Sequence, residues 1–409
     1  MADNESVAAQ YLRDLQKRRE LYREAVVDEL KALFKRRDRK PPEEFHDSSF
    51  LYMRSYDADL GVRPFSGITF WHSPDVTLSP VTSVGAYTTV LNAGDTYLIR
   101  CSLRNRGDLA VPSAKVELFL TDPTLGFDTR FATNLTLGNV PSAWVGSGTN
   151  AAAEFAYTVP PTESGHKCLF ARTFSFSPLE LPIDDFQLDP RLDRHVAQQN
   201  LNIVGQSQAY AFGLVHAPNS RMRIDLKALE PEELFGLRHP VLADVRPAAE
   251  FPRRGWGRLA RIELQRPGGG DVALREAREG VGVESQDRDG FDLGNQRELN
   301  TAVRDVLRAI EAGETRRADH RDLFAKFRDM NAQARRSTFT MTVPDLGLRA
   351  GEAVGLDVTS VDENSDQPEV VGGITLVIVG ESRRRRTPGG RSRPAARRRR
   401  AAGGRTGRT

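Results

Sequence analysis

The stretch Tyr97–Leu120, YLIRCSLRNRGDLAVPSAKVELFL, decides how the middle of this chain is read. In its first half Tyr97, Ile99, Cys101 and Leu103 fall on one face, with Leu98, Arg100, Ser102 and Arg104 on the other. In its second half Val116, Leu118 and Leu120 recur at the same period of two. That period belongs to strands, whose successive side chains point to opposite faces. Between the runs, Asn105-Arg106-Gly107-Asp108 is turn material: Asn and Asp bond their own backbone, and Gly relieves the steric limits on φ. The stretch is therefore two strands joined by a bend, with a cysteine on the inward face of the first.

The same grammar continues on both sides. DVTLSPV precedes the stretch; TRFATNLTLG, AAEFAYTVP, HKCLFARTFSF and VAQQNLNIVG follow it. With the two runs above, that makes seven candidate strands separated by turn signals and by no helical pattern, which predicts an antiparallel sandwich. In HKCLFARTF, His166, Cys168 and Phe170 share a face, so Cys168 is expected to point inward. Cys101 and Cys168 would then hold the inter-sheet pair positions of an immunoglobulin-like sandwich, although no tryptophan stands midway between them and His166 replaces the corner tyrosine. Two buried, reduced thiols are the preferred reading for a cytoplasmic chain, and a bridge is the alternative in an oxidising setting.

SPDV, LRNRGDLAVPSAKVELFLTDP, HKCLFAR and HVAQQNLNIV together resemble the bacterial cell-adhesion-related (CARDB) domain and its immunoglobulin-like relatives, over about residues 70–205. The resemblance implies a seven-stranded sandwich with an adhesive, accessory or structural role. It brings no catalytic residues with it.

On the N-terminal side, residues 1–42 read as an amphipathic helix. Tyr11, Leu12, Leu15, Tyr22, Val26, Leu30 and Leu33 recur at threes and fours, Arg19 interrupts the stripe, and Pro41-Pro42 ends it. Packing on its own body is preferred, with dimerisation or a membrane surface as alternatives. Residues 43–69 are expected to be a linker. Residues 206–380 read as a second sandwich: AYAFGLVHAP and RMRIDLKAL begin it, Phe339, Met341 and Val343 alternate inward, and GGITLVIVG is a buried final strand. An insertion at about 238–336 divides it. Its early part is expected to form a hairpin across Pro267–Gly270. Its later part carries two amphipathic helices, with Leu299, Val303, Val306, Leu307 and Ile310 on one and Leu323, Phe324, Phe327 and Met330 on the other. These are expected to pack on their own domain.

The chain of 409 residues is long enough for two or three domains. Two cysteines exclude a disulfide-dense scaffold, and no run approaches the roughly 18 apolar residues of a membrane span. The polar start lacks a secretory pattern, so a cytoplasmic location is the default, with signal-independent export left open. The net charge of +3 conceals an asymmetry. Arg383–Thr409 holds 12 Arg and no acid, which leaves 46 basic against 55 acidic residues, or −9, for the rest.

Motifs for chemistry are sparse. His46, His72, His166, His195, His216, His239 and His320 show no metal-ligand spacing, and no phosphate-binding loop or GxSxG elbow occurs. In SQDRDGFDLGNQRE, Asp287, Asp289 and Asp292 offer hard oxygens for calcium, but neither register puts glycine at the sixth position and glutamate at the twelfth. A solvated turn is preferred there, with a non-EF calcium site as the alternative. Glu232, Glu233, Asp362, Glu363 and Asp366 sit in polar, turn-like settings. No catalytic residue and no cofactor are assigned. In the tail, Arg383, Arg384, Arg385, Arg386, Arg397, Arg398, Arg399 and Arg400 form two blocks able to grip phosphate, and no aromatic residue is present for base stacking. Such a composition cannot bury enough apolar surface to order itself, so residues 381–409 are expected to be disordered.

The expectation is a mainly β, non-catalytic structural or interaction protein. It would have an unidentified protein partner, a tail that tethers it to nucleic acid or another polyanion, and an N-terminal helix through which it could oligomerise. The alternatives are a nucleic-acid-binding protein acting through its tail and, third, an enzyme with a cryptic site in the insertion.

Overall fold

Tyr97, Ile99, Cys101 and Leu103 are each at most 1% exposed, whereas Arg100 between them is in solvent. The alternation read from the sequence is the alternation of the structure. The structure, a computed structural model, describes residues 49–380 except for 108, 113, 140–143, 146–149, 163–164, 176–179, 238, 240–241, 251, 253–255, 278–279, 287–292 and 365–367. The expected N-terminal helix (1–42) and the Arg-rich tail (381–409) lie outside the described residues.

The chain is mainly β, in several antiparallel sheets. Its first part supplies β1 (Leu51–Tyr52), β2 (Val76–Pro80), β3 (Thr96–Asn105), β4 (Lys115–Thr121), β5 (Thr124–Leu125), β6 (Thr133–Asn139), β7 (Asn150–Thr158), β8 (Cys168–Phe174) and β9 (Val196–Gln199). One sheet centres on β3, with β7 along one edge and β1 and β2 along the other. A second sheet has the order β9-β8-β4-β6. Ile99, Cys101, Phe155 and Val76 from the first sheet share one apolar core with Val116, Leu118, Leu169 and Ala171 from the second. The bend after β3 therefore hands the chain from one sheet to the facing one. Asn105 pins it: the side-chain Oδ1 accepts from the N–H groups of Phe50 and Gly107, and Nδ2 donates to the Leu109 carbonyl.

Residues 49–69, expected to be a linker, are built into this part. β1 pairs with the end of β3, and Phe50, Leu51, Tyr52 and Met53 are buried. The final candidate strand of the series, VAQQNLNIVG, is two strands. β9 ends at Gln199, and β10 (Leu201–Gly205) joins a different sheet, in parallel with the last strand among the described residues.

The second part contains β11 (Ala209–His216), β12 (Arg221–Leu229), β13 (Arg261–Arg266), β14 (Asp271–Ala277), β15 (Gly280–Gln286), β16 (Arg335–Thr342), β17 (Glu352–Asp362) and β18 (Glu369–Val379). One sheet runs β10-β18-β17-β12-β15-β14; the other runs β13-β16-β11-β5. Between them lie Phe212, Leu214, Phe339 and Met341 from one side and Ile224, Leu356, Ile374 and Leu376 from the other. The Pro267–Gly270 segment does not close a hairpin. It crosses between sheets, because β13 pairs with β16 while β14 pairs with β15.

Two helices, α1 (Leu293–Glu311) and α2 (Arg321–Asn331), turn their apolar stripes toward each other and onto Ile183 and Leu192. Every stripe residue read from the sequence is in this cluster. The apolar surface they cover belongs to the segment before β9, while Arg304 of α1 pairs with Glu369 of β18 in the second part. Asn331 Nδ2 donates to Asp184 Oδ2 at 2.8 Å, and Arg317 donates to the Leu181 and Pro182 carbonyls.

Candidate functional site

Cys101 and Cys168 are both free and buried, but they are not a pair. Cys101 lies between the two sheets of the first part; Cys168 lies on the opposite face of the second sheet, among Phe119, Phe127 and Phe170. The register decides this. Leu169 stands opposite Leu120 and Ala171 opposite Leu118, so those residues of β8 turn inward and Cys168 turns out. Burial pushes both thiols above the ordinary cysteine range. Asp287, Asp289 and Asp292 lie outside the described residues, as do the arginine blocks at 383–386 and 397–400. Among the described residues no three His, Cys, Asp or Glu side chains assemble to hold a metal ion.

The structure instead brings polar side chains together where the two parts meet. Trp71 and His72, just before β2, reach Thr375 of β18. The indole N–H donates to Thr375 Oγ1 at 3.0 Å, and His72 Nε2 lies 2.5 Å from the same oxygen. Thr375 also bonds Asp357 of β17. Gly373 makes the approach possible, since a Cβ there would lie 2.3 Å from the indole ring. Asn200, at the break between β9 and β10, donates to the Thr124 and Gly373 carbonyls at 3.0 and 2.9 Å. Gln199 bonds His239 at 2.9 Å. Burial raises Asp357 to about 7; it lowers His239 to about 4 and, with His239 nearby, His72 to about 3.

Charged groups beneath the first part are likewise engaged with one another. Arg172 of β8 and Glu117 of β4 stand directly opposite in the ladder, fully buried and 2.5 Å apart. Arg172 donates further to the Asp184 and Asp185 carbonyls, and Asn134 donates to Glu117. His195 lies between Asp193 (2.7 Å) and Glu180 (2.9 Å). Burial alone would raise both acids. The His195 contacts at Asp193, and Arg194 together with His195 at Glu180, hold them below the ordinary carboxylate range instead. A cavity of about 140 Å³ opens between α1, α2 and residues 187–192. Its arginines are paired too, Arg191 with Asp189 and Glu369, and Arg304 with Glu369.

None of these junction residues was singled out by motif reading. A faint signal existed: a strand candidate written Gln198-Gln199-Asn200 has polar residues on both faces, which a half-exposed strand does not need.

No family model matches the chain, and no curated protein matches it. Among solved structures, the CARDB domain of a Pyrococcus furiosus protein in complex with di-metal ions is 16% identical, with a TM-score of 0.20, over 32% of this chain and 94% of that one. The CupB6 tip adhesin of Pseudomonas aeruginosa is 9% identical, with a TM-score of 0.16, over 76% and 98%. A β-glucosidase from Listeria innocua is 14% identical, with a TM-score of 0.16, over 32% and 17%. None of these likenesses extends to an activity or a ligand for this chain. No helix among the described residues is long and apolar enough to cross a membrane.

Proposed function

We propose that this chain is a non-catalytic interaction protein. Its body presents open sheet edges to a protein partner, and its Arg-rich tail holds that body on a polyanion. The reading of residues 70–205 as an immunoglobulin-like, CARDB-like sandwich is part of this proposal. One observation supports it above the others. The buried side chains at the junction, Trp71, His72, Asn200, Asp357 and Thr375, join the two β bodies to each other. Such a junction holds two surfaces in a fixed relation.

Several strands remain open on one side among the described residues, among them β7, which pairs with β3 alone, and β14, which pairs with β15 alone. An unpaired edge offers a row of N–H and C=O groups to an extended segment of another chain. The tail adds attraction of a different kind. Twelve arginines attached to a body of charge −9 concentrate attraction for phosphate at one end of the chain.

Full-length protein and a variant ending at Gly380 should be titrated with duplex DNA and with heparin across a salt series. The full chain is expected to bind both with a steep salt dependence, and the shortened chain to bind neither while melting at the same temperature. Equal binding by the two would overturn the tether. Partner capture lost on adding lysines along β7 or β14, in a protein that still folds, is the matching test of the edges; capture unaffected by either set of lysines would remove strand addition.

A further inference from the structure

Where the end of β4 meets β16, a groove of about 450 Å³ is lined by Thr121, Asp122, Thr133, Thr162, Lys167 and Arg336. Its two sides come from different β bodies. Arg336 is on β16 of the second, and the threonines and Lys167 belong to the first. Lys167 Nζ bonds Asp122 at 2.8 Å, so that pair is neutral as a unit. Arg336 is different. Its Nε is buried, and among the described residues its guanidinium has neither a hydrogen-bond acceptor nor a carboxylate partner. It lies flat on Gly213 of β11, where a Cβ would come within 2.5 Å of Nε. A side chain at position 213 would push the guanidinium away, so glycine there holds open the seat that the arginine uses.

A guanidinium with an unsatisfied, buried N–H is costly to keep, and its planar fork matches the two oxygens of an oxyanion. We infer that this groove binds a small carboxylate. The net charge of the lining is one positive unit, which a monoanion balances. The volume exceeds that of an inorganic ion, and the Thr121, Thr133 and Thr162 hydroxyls suit a ligand that carries hydroxyl groups beside its carboxylate. Arg336 grips the carboxylate, while Lys167 stays paired with Asp122 on the opposite side.

The test is calorimetric titration of the full chain with D-gluconate, with D-sorbitol as the neutral polyol of equal length and with inorganic phosphate. The Arg336→Gln variant is run in parallel, so that anion binding by the tail is present in both and subtracts out. Saturable gluconate binding is expected in the parent protein, weakened roughly ten- to a hundredfold in Arg336→Gln. Sorbitol should not bind. Gly213→Ala, which leaves every lining charge in place but displaces the guanidinium, should weaken gluconate in the same direction. It also serves as the independent variant should Arg336→Gln fail to fold. Gluconate binding that is absent, or equal in parent and variants, would overturn the site. Sorbitol binding as tight as gluconate would overturn its charge basis, and phosphate in preference to gluconate would overturn the ligand class.

Discussion

Thr375 has one hydroxyl proton and three polar neighbours, and that count fixes the protons around it. The Trp71 N–H donates, filling one lone pair. With Asp357 ionised, the Thr375 hydroxyl donates to the carboxylate and His72 must donate through Nε2, which fits an Nδ1 with no hydrogen-bond partner among the described residues. A protonated Asp357 can supply the proton instead, freeing the hydroxyl to turn toward His72. Asp357 is raised to about 7 from 3.8, chiefly by burial, with the Thr375 bond and Lys227 opposing and Glu233 adding to the rise. A folded-state pKa above the unfolded one means that the folded protein holds this proton between about pH 4 and 7. The stability this group contributes is present below that window and is lost as pH rises through it. Asp357→Asn is therefore expected to stabilise the protein at pH 8, by a few kcal/mol at most, and to make little difference at pH 4. Melting temperatures of parent and variant across pH 4–8 check this; a constant difference would show that Asp357 does not titrate in that range. Sequence alone gave no hint of this group, because the Thr375 that bonds Asp357 meets Trp71 and His72 from some 300 residues away.

At the scale of elements, alternation told one face of each strand and was silent about the other. The inward row of β3 was legible because its opposite face meets solvent. On β4, Val116, Leu118 and Leu120 were legible, but Glu117 and Phe119 are buried as well. The second sheet of the first part is covered on both sides, and that is why Cys168 could not be placed from its neighbours. Burial of the outer face also strands a charge pair in the interior. Arg172→Met should leave Glu117 uncompensated and cost about 3–5 kcal/mol, whereas Arg172→Met with Glu117→Leu should recover most of that loss. Urea unfolding of the two variants measures it, and equal destabilisation would argue against the pair as the source. Asn200→Ala, at the break between β9 and β10, should cost about 1–3 kcal/mol by leaving carbonyls of both bodies short of a donor. For α1 and α2 the apolar faces were correct and the partner was not: a helical stripe states that something covers it, never what.

For the whole molecule, two features follow from order along the chain and two from its folding. The separation of a −9 body from a tail of 12 arginines is a property of composition, and so is the division into two strand-rich parts. A shortened chain ending at Gly380 should therefore differ from the full protein in polyanion binding and its salt slope, and not in melting temperature. The fusion of the parts, by contrast, depends on pairings that no local pattern encodes. β5 leaves the first part to lie parallel to β11, and β10 lies parallel to β18, across sequence separations too large for periodicity to reach. What the residues determined unaided was the mainly β class, the inward row of β3 and the apolar faces of the helices, since these depend on neighbours two to four positions apart. Only tertiary structure decided the burial of both faces around Arg172, the meeting of Thr375 with Trp71 and the seating of the Arg336 guanidinium on Gly213. Each of those is set by which distant segment covers the residue, and water exclusion, which gives them their energies, exists only once that cover is in place.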